Sequence, residues 1–422
     1  MSKILETLVP SRLGTGFRWL MASSWTANLS DGVAIAAGPL LVASLTDDPF
    51  LVSMAALLGW APPMVFGLYA GVLSDRLNRR RIMLVANGVR LAVLAGLIAA
   101  MVTDRLTIGI ALVALGLRGV AEVFVDNTAG TLTPMLVHRD DLGVANARLQ
   151  TGFITLNQLA GPPIGAALFA AGAVWPFAGQ VVLIVAAMLV IGRITLPAHG
   201  HDPESGRRTV LRDVAEGFRW TIRHAAIRTL SLTILMFNIT FGAAWSVLVL
   251  YAQQRLGLGE VGFGLLTTIS AIGGLLGTMS YGRITNRVSL GNLMRIGLII
   301  ETLTHLALAV ATSAWVACAI FFVFGAHAFI WGTTSMTVRQ RAVPSRLQGR
   351  VNSLNMISVY GGLVVGSAFG GVLATHWGVT APFWFAFAGS AVFVVLLWSQ
   401  MTHVAHADEE TAEQPLEPAL SR

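Results

Sequence analysis

The chain is predicted to be an all-α membrane protein of twelve transmembrane helices, two six-helix pseudo-repeats with both termini cytoplasmic. Three observations carry that prediction. Only 12% of the 422 residues are charged and 55% are apolar, whereas soluble domains carry about 25% charged residues. The apolar residues fall in continuous blocks of about 20, the length of a helical span and unlike the alternation of a membrane β-barrel. The basic residues are sorted: of the 28 Lys and Arg, only Arg105 and Arg255 fall between blocks on one side, and only Arg90 and Arg118 lie deep within blocks, Arg18, Arg193, Arg228 and Arg295 standing near block ends on the other side. Excess Lys and Arg mark the cytoplasmic side, so the net charge of +7 follows from topology and does not imply nucleic-acid binding.

The blocks cover residues 18–45, 50–73, 82–103, 106–129, 150–172, 176–197, 228–252, 260–282, 291–312, 314–337, 351–374 and 380–401. The first is longer than a straight crossing requires, which predicts tilt. It also contains Asn28 and Asp31 and is too long for a signal-peptide core, so no cleavable signal is expected. Residues 1–197 form a first six-span bundle, 198–227 a cytoplasmic linker and 228–401 a second bundle. Within the linker, 213–220 has the spacing of a short amphipathic helix. The acidic, Pro-bearing tail 402–422 is expected to be disordered. The 44 glycines suit close helix packing in lipid. The single cysteine, Cys318, lies in an apolar block and forms no internal disulfide.

The two halves match each other. Gly71-Val-Leu-Ser-Asp75-Arg76 pairs with Gly282-Arg-Ile-Thr-Asn286-Arg287 at an offset of 211. Asn28-Leu-Ser-Asp-Gly32 pairs with Asn238-Ile-Thr-Phe-Gly242 at 210, and Gly161-Pro-Pro-Ile-Gly165 with Gly366-Ser-Ala-Phe-Gly370 at 205. Three matches in order indicate a duplicated unit. Parallel repeats of this kind place a substrate site near the midplane between the halves.

Charges inside spans are the most informative residues. Asp31 lies in the middle of span 1, and Arg118, Glu122 and Asp126 recur at i, i+4 and i+8 on one face of span 4. Each would cost about 2.5–3.5 kcal/mol at the bilayer centre if it faced lipid, so the stripe faces the protein interior or water. A structural reading pairs Arg118 with Glu122, leaves Asp126 in water near the cytoplasmic end, and makes Asn28 and Asp31 a hydrogen-bonding patch that bends span 1. A functional reading makes one carboxylate a proton carrier, its affinity for the proton raised by burial and governed by the nearby arginine. The membrane potential adds about 2.3 kcal/mol per charge per 100 mV to such a cycle.

The second half is poorer in acids. His327 in span 10 stands opposite Glu122 at an offset of 205, and Glu301 and His305 make an i, i+4 pair in span 9. Phe237, Phe241, Trp245, Phe329 and Trp331 are candidates to line an apolar cavity. Enzyme signatures fail on context. Gly257-Leu-Gly259-Glu-Val-Gly262 has the dinucleotide-loop spacing but lies between two spans and not in a βαβ unit. Asn28-Leu-Ser30 and Asn238-Ile-Thr240 fit the glycosylation sequon inside spans, where no sugar is attached. There is no phosphate-binding loop for ATP, and no cofactor or metal is expected.

The link between spans 2 and 3 reads Gly71-Val72-Leu73-Ser74-Asp75-Arg76-Leu77-Asn78-Arg79-Arg80-Arg81. It resembles the signature loop of the major facilitator superfamily of secondary transporters, with Asn78 where that pattern has Gly. Arg118 matches the arginine of the span 4 motif of the superfamily's drug/proton antiporters, whose glutamine and later glycines are not matched. Gly161-Pro162-Pro163-Ile164-Gly165 is similar to the Gly-Pro-x-x-Gly core of the exporter motif, a segment able to bend and slide against a neighbour. Thr133-Pro134-Met-Leu-Val-His-Arg-Asp-Asp-Leu142 followed by Ala145-Asn146-Ala147 resembles the link of the transmembrane secretion effector group, which includes macrolide-efflux-like and enterobactin-exporter-like proteins.

The resemblance implies a monomeric, multi-pass inner-membrane exporter that moves small amphipathic molecules outward against proton entry. Its partners would be that substrate, protons and the bilayer. Export of an endogenous metabolite such as a siderophore is the alternative, and a non-transporting receptor on the same fold a third reading. The candidate coupling and cavity residues are Asn28, Asp31, Arg118, Glu122, Asp126 and His327. The candidate cytoplasmic gate comprises Gly71, Asp75, Arg76, Arg79, Arg80, Arg81, Asn286 and Arg287, and Gly161, Pro162, Pro163 and Gly165 form the span 5 hinge. Because Asn286 replaces Asp75 in the second half, the first-half loop is expected to be the stronger latch.

Overall fold

Polar punctuation sets where each apolar run starts to coil. Asp48 accepts a hydrogen bond from the Phe50 amide (2.9 Å) with Pro49 in the first helical position. Thr107 accepts from Ile110 N (3.2 Å), and Ser289 from Asn292 N (3.4 Å). Asn78, the departure from the superfamily loop, accepts from Arg81 N (3.2 Å) and so caps the helix that follows.

The computed structural model describes residues 11–194, 210–344 and 347–400, with residues 11, 75, 76 and 210–214 described by backbone alone. The tail 402–422 and the linker before residue 210 lie outside the described residues, as do the side chains of Asp75 and Arg76. Among the described residues the chain is helical, with no strand. The helices are α1 (Gly14–Leu45), α2 (Pro49–Arg76), α3 (Arg79–Val102), α4 (Ile108–Leu136), α5 (Leu142–Gly152), α6 (Gly161–Ala171), α7 (Trp175–Ile191) and α8 (Val210–Arg223). They continue as α9 (Ala225–Trp245), α10 (Glu260–Thr285), α11 (Leu290–Val310), α12 (Ala314–Ala342), α13 (Gln348–Trp377) and α14 (Ala381–Leu397). Among the described residues nine, α1–α4 and α9–α13, are long and apolar enough to cross a membrane, and α7 and α14 are shorter apolar helices.

Two of the expected spans are not single helices. The run expected at 150–172 begins earlier, at Leu142, and passes through a π-helical stretch, Phe153–Ala160, before α6. The cause is local: Pro162 and Pro163 offer no amide to the carbonyls one turn back, so the ladder widens ahead of them. The run expected at 228–252 ends its regular helix at Trp245 and continues through a short turn, Leu248–Leu250, and a second π-helical stretch, Tyr251–Arg255.

The duplicated unit appears in the helix starts. Pro49 and Glu260 open α2 and α10, and Arg79 and Leu290 open α3 and α11, both displaced by 211 residues. The starts of α4 and α12, α5 and α13, and α7 and α14 are each displaced by 206. That register equates Glu122 with Ala328, so His327 stands one residue to the side of the position first assigned to it. It also equates Arg90 of α3 with Glu301 of α11.

Within the first half α1 packs on α6 and α7, and within the second half α9 packs on α13 and α14. The halves meet through two related pairs, α2 with α13 and α6 with α10. Lipid provides no hydrophobic force between helices, so these contacts depend on close approach of backbones. A methyl group on Gly161 would collide with the backbone of Gly32, and one on Gly165 with the Val33 carbonyl. Gly366 and Gly370 press on the backbone of α9 in the same way.

Among the described residues buried apolar side chains form three clusters. One joins both halves at the end away from the basic loops, where Leu41, Val52 and Phe177 share a core with Val247, Tyr251 and Phe383. At the basic end the clusters are separate, one around Phe17 and Met83 in the first half and one around Ile227 and Met294 in the second. The joined end is tied further by Thr375 Oγ1 donating to Asp48 Oδ1 (3.4 Å). The two bundles therefore form a V, closed at one end and open toward the basic loops.

Candidate functional site

A cavity of about 1340 Å³ fills the V and is lined from both halves. That exceeds the 300–1,000 Å³ common for drug-sized ligands. Its lining runs from Pro39, Val249 and Phe263 near the joined end to Leu20, Asn146 and Arg339 near the basic end. One wall is charged and the other aromatic.

The charged wall belongs to the first half. Asp31, 6% exposed on α1, receives a hydrogen bond from Nη2 of Arg90, which reaches across from α3 and is fully buried. Arg118 Nη1 lies 3.5 Å from the same Asp31 oxygen and 3.0 Å from Glu122 Oε2 one turn along α4. Asn87 Oδ1 accepts from Arg90 Nη1 at 3.5 Å. Two guanidinium groups thus offset two carboxylates in a low-dielectric site, where removing one partner strands the other. Asp126 completes the stripe, exposed to the cavity and without an ion-pair partner among the described residues. Asn28 also faces the cavity and donates to the Ser24 carbonyl (2.8 Å).

The aromatic wall belongs mainly to the second half. Phe241 stacks on Trp245 with ring centroids 4.3 Å apart, Phe324 lies 4.7 Å from Trp245, and Trp60 approaches Phe241 from α2 at 6.3 Å. Phe237, Phe329 and Trp331 line the cavity as well. Beside them His327 Nε2 lies 3.5 Å from Glu301 Oε2. The i, i+4 spacing paired Glu301 with His305, but Glu301 turns to His327 on α12. His305 is fully buried against the Trp245 edge (6.2 Å), and neither ring nitrogen has a hydrogen-bond partner among the described residues.

Arg79 and Arg80 of the gate reach other helices of the first half. Arg79 reaches Met135 Sδ on α4 (3.1 Å), and Arg80 donates to the Gly192 carbonyl at the end of α7 (2.7 Å), where a cation meets the negative end of the helix. Gly71 O accepts from Ser74 Oγ (2.7 Å). Arg81, Asn286 and Arg287 are exposed. At the hinge, Gly161, Pro162, Pro163 and Gly165 open α6 directly after the π-helical stretch. That stretch carries Asn157 and Gln158 to the cavity, bonded to each other at 2.6 Å.

Sequence reasoning did not assign Arg90, Asn157, Gln158 or Trp60 to the site. Arg90 carried a signal, being with Arg118 one of two basic residues deep within apolar blocks, but nothing in its spacing named its partner. Among the described residues no group of three His, Cys, Asp or Glu side chains is arranged to hold a metal.

Comparisons with known proteins agree with this architecture. The model of the transmembrane secretion effector family matches residues 6–421. The chain is 27% identical to the multidrug efflux pump Tap of Mycolicibacterium fortuitum, over 86% of this chain and 90% of that one. It is 22% identical to macrolide efflux protein A of Streptococcus pyogenes (83% and 87% covered). It is 25% identical to the enterobactin exporter EntS of Shigella boydii serotype 4 (85% of each). Among solved structures it is similar to a bacterial homologue of the iron transporter ferroportin in the inward-facing state, with a TM-score of 0.71 at 16% identity over 92% of this chain and 98% of that one. A bacterial homologue of the lysosomal transporter Spinster, inward-facing and unoccupied, gives a TM-score of 0.69 at 15% identity over 97% and 100%. With the family model spanning nearly the whole sequence and the fold shared with solved transporters, the chain belongs to the transmembrane secretion effector family of the major facilitator superfamily.

Proposed function

We propose that the protein is a twelve-span secondary exporter of the inner membrane that moves small amphipathic molecules outward in exchange for protons. The observation that carries this reading is Asp31, a buried carboxylate held by Arg90 and Arg118 on the wall of a cavity shared by both halves. Charge in the span interior is costly and marks transport pathways. In the cycle, substrate leaving the cavity frees Asp31 or Glu122 to take a proton, and proton release toward the basic end restores the pairs with arginine. In this reading the broken span of α5, the π-helical stretch and α6 counts as one of the twelve, and the excess of Lys and Arg in the loops at one end supports cytoplasmic termini. The V then opens to the cytoplasm, one of two alternating states.

The gate belongs to this reading. Asp75, with the arginines around it, closes the cytoplasmic side when the outer side opens, and Asn286 is its weaker counterpart. Gly161, Pro162, Pro163 and Gly165 let α6 pivot on α1. The names of the relatives favour drugs and antibiotics as substrates, and the enterobactin exporter favours an endogenous siderophore as the second reading. Drug-susceptibility profiling of a deletion strain, with metabolite profiling of its medium, separates the two. If neither changes in the deletion strain, the export reading falls.

A further inference from the structure

Helix α8 runs into α9 through His224 alone, and α9 is long and apolar enough to cross a membrane, so α8 sits where the second half leaves the bilayer at its basic end. It is fastened there on one side. Gly217 presses on the Arg350 backbone at the start of α13 so closely that a methyl group would collide with the carbonyl, and Glu216 Oε1 pairs with Arg350 Nη1 (2.6 Å). Trp220 packs on the cluster around Ile227 and Met294. The opposite side is uncovered. Ala215, Phe218 and Ile222 recur at i, i+3 and i+7, one stripe of a helix, and all three are exposed, Phe218 by 50% and Ile222 by 45%. Arg219 and Arg223, each one residue beyond a member of the stripe, stand exposed along one flank of it. Arg228 of α9, also exposed, donates to the Ile222 carbonyl (3.1 Å) and adds a third cation at its end. The stripe does not line the cavity.

Size and charge together name what covers this face. Three side chains on a helix of 14 residues fall far short of the roughly 800 Å² that each partner buries in a stable protein interface. A narrow apolar stripe with a basic flank is instead what seats a helix at the boundary between headgroups and acyl chains. Glu216, the acid among the described side chains of α8, is turned inward to Arg350, so the outward face is positive. Guanidinium groups hold phosphate oxygens with forked donors and keep their charge at any ordinary pH. We infer that α8 lies in the bilayer surface at the basic end, with Phe218 and Ile222 seated among the acyl chains and Arg219, Arg223 and Arg228 binding the headgroups of anionic phospholipids. Because Gly217 and Glu216 fasten α8 to Arg350, and α13 packs on α2 of the other half, the lipid contact anchors one side of the interface between the halves to the leaflet. The inference needs α9 and α13 to cross a bilayer and does not depend on what the cavity carries.

The test places a spin label on the stripe, at Ala215→Cys in a Cys318→Ser background, in the full-length protein reconstituted into nanodiscs. Collision of the label with an uncharged, water-soluble nickel chelate reports its exposure to water. Each arginine near an anionic surface strengthens adsorption about fivefold, so the label should meet the chelate at least about threefold less often in discs containing about one-third phosphatidylglycerol than in phosphatidylcholine alone. Arg219→Gln/Arg223→Gln should abolish the difference between the two membranes. Arg219→Lys/Arg223→Lys, which keeps the charge, should retain it and controls for folding. Inorganic phosphate added to the phosphatidylcholine discs should leave the label exposed. Equal exposure in both membranes, or a difference that survives Arg219→Gln/Arg223→Gln, overturns the proposal. So does protection by inorganic phosphate alone, which would assign the arginines to a free anion. A label shielded in native membranes yet exposed in both kinds of disc overturns it too, and gives the stripe to a protein.

Discussion

Arg90 of α3 and Asp31 of α1 form a buried ion pair that draws in Arg118 from α4, so three helices of the first half meet at one carboxylate. Truncating Arg90 leaves Asp31 with Arg118 alone. Breaking a buried pair costs about 3–5 kcal/mol, whereas replacing both partners by well-packed apolar groups is often neutral. Arg90→Met should therefore lower the unfolding temperature clearly, and Asp31→Leu/Arg90→Met should recover much of that stability while remaining inactive. Thermal unfolding in detergent beside a vesicle transport assay checks both halves of the prediction. A stable, active Arg90→Met would mean that the pair neither supports the fold nor serves the cycle.

The contact of α6 with α1 depends on glycine. Gly165→Ala drives a methyl into the Val33 carbonyl, and overpacking of this kind costs about 1–3 kcal/mol. Gly88→Ala on α3, with open space around it, should be neutral or slightly stabilising. Comparing detergent-solubilised yield and unfolding temperature of the two variants tests whether close backbone approach, and not glycine content in general, holds the first half together.

Asp75→Asn gives the first-half loop the residue found at Asn286 in the second. Transport should fall severely while substrate affinity in detergent stays within about twofold, the signature of a residue that acts on cycling and not on binding. Equal loss of affinity and transport would remove the gating role.

Much of the fold was legible because helix starts are written in short-range chemistry. Asp48-Pro49, Asn78, Thr107 and Ser289 each mark a boundary that local hydrogen bonding enforces. The stripe Arg118, Glu122, Asp126 was legible for the same reason, since helical spacing alone puts the three on one face. Pairings between helices leave no such mark. Arg90 and Asp31 lie 59 residues apart and meet only because α3 and α1 stand on either side of the same core. Glu301 had a neighbour at the right spacing in His305, yet the packing of Trp245 over His305 leaves His327 as its partner. The π-helical stretch was hidden by hydrophobicity, which continues smoothly through a break that Pro162 and Pro163 impose.

The central claim is that proton entry drives export through Asp31. Protein reconstituted in vesicles with an imposed pH gradient tests it most directly, with an amphipathic amine, a macrolide and a catecholate siderophore as candidate cargo. Wild type should move at least one of them uphill and stop when a protonophore collapses the gradient. Asp31→Asn should lose uphill movement while still carrying that compound down its own gradient. Transport indifferent to the protonophore, or an Asp31→Asn variant that concentrates cargo like wild type, would contradict the account.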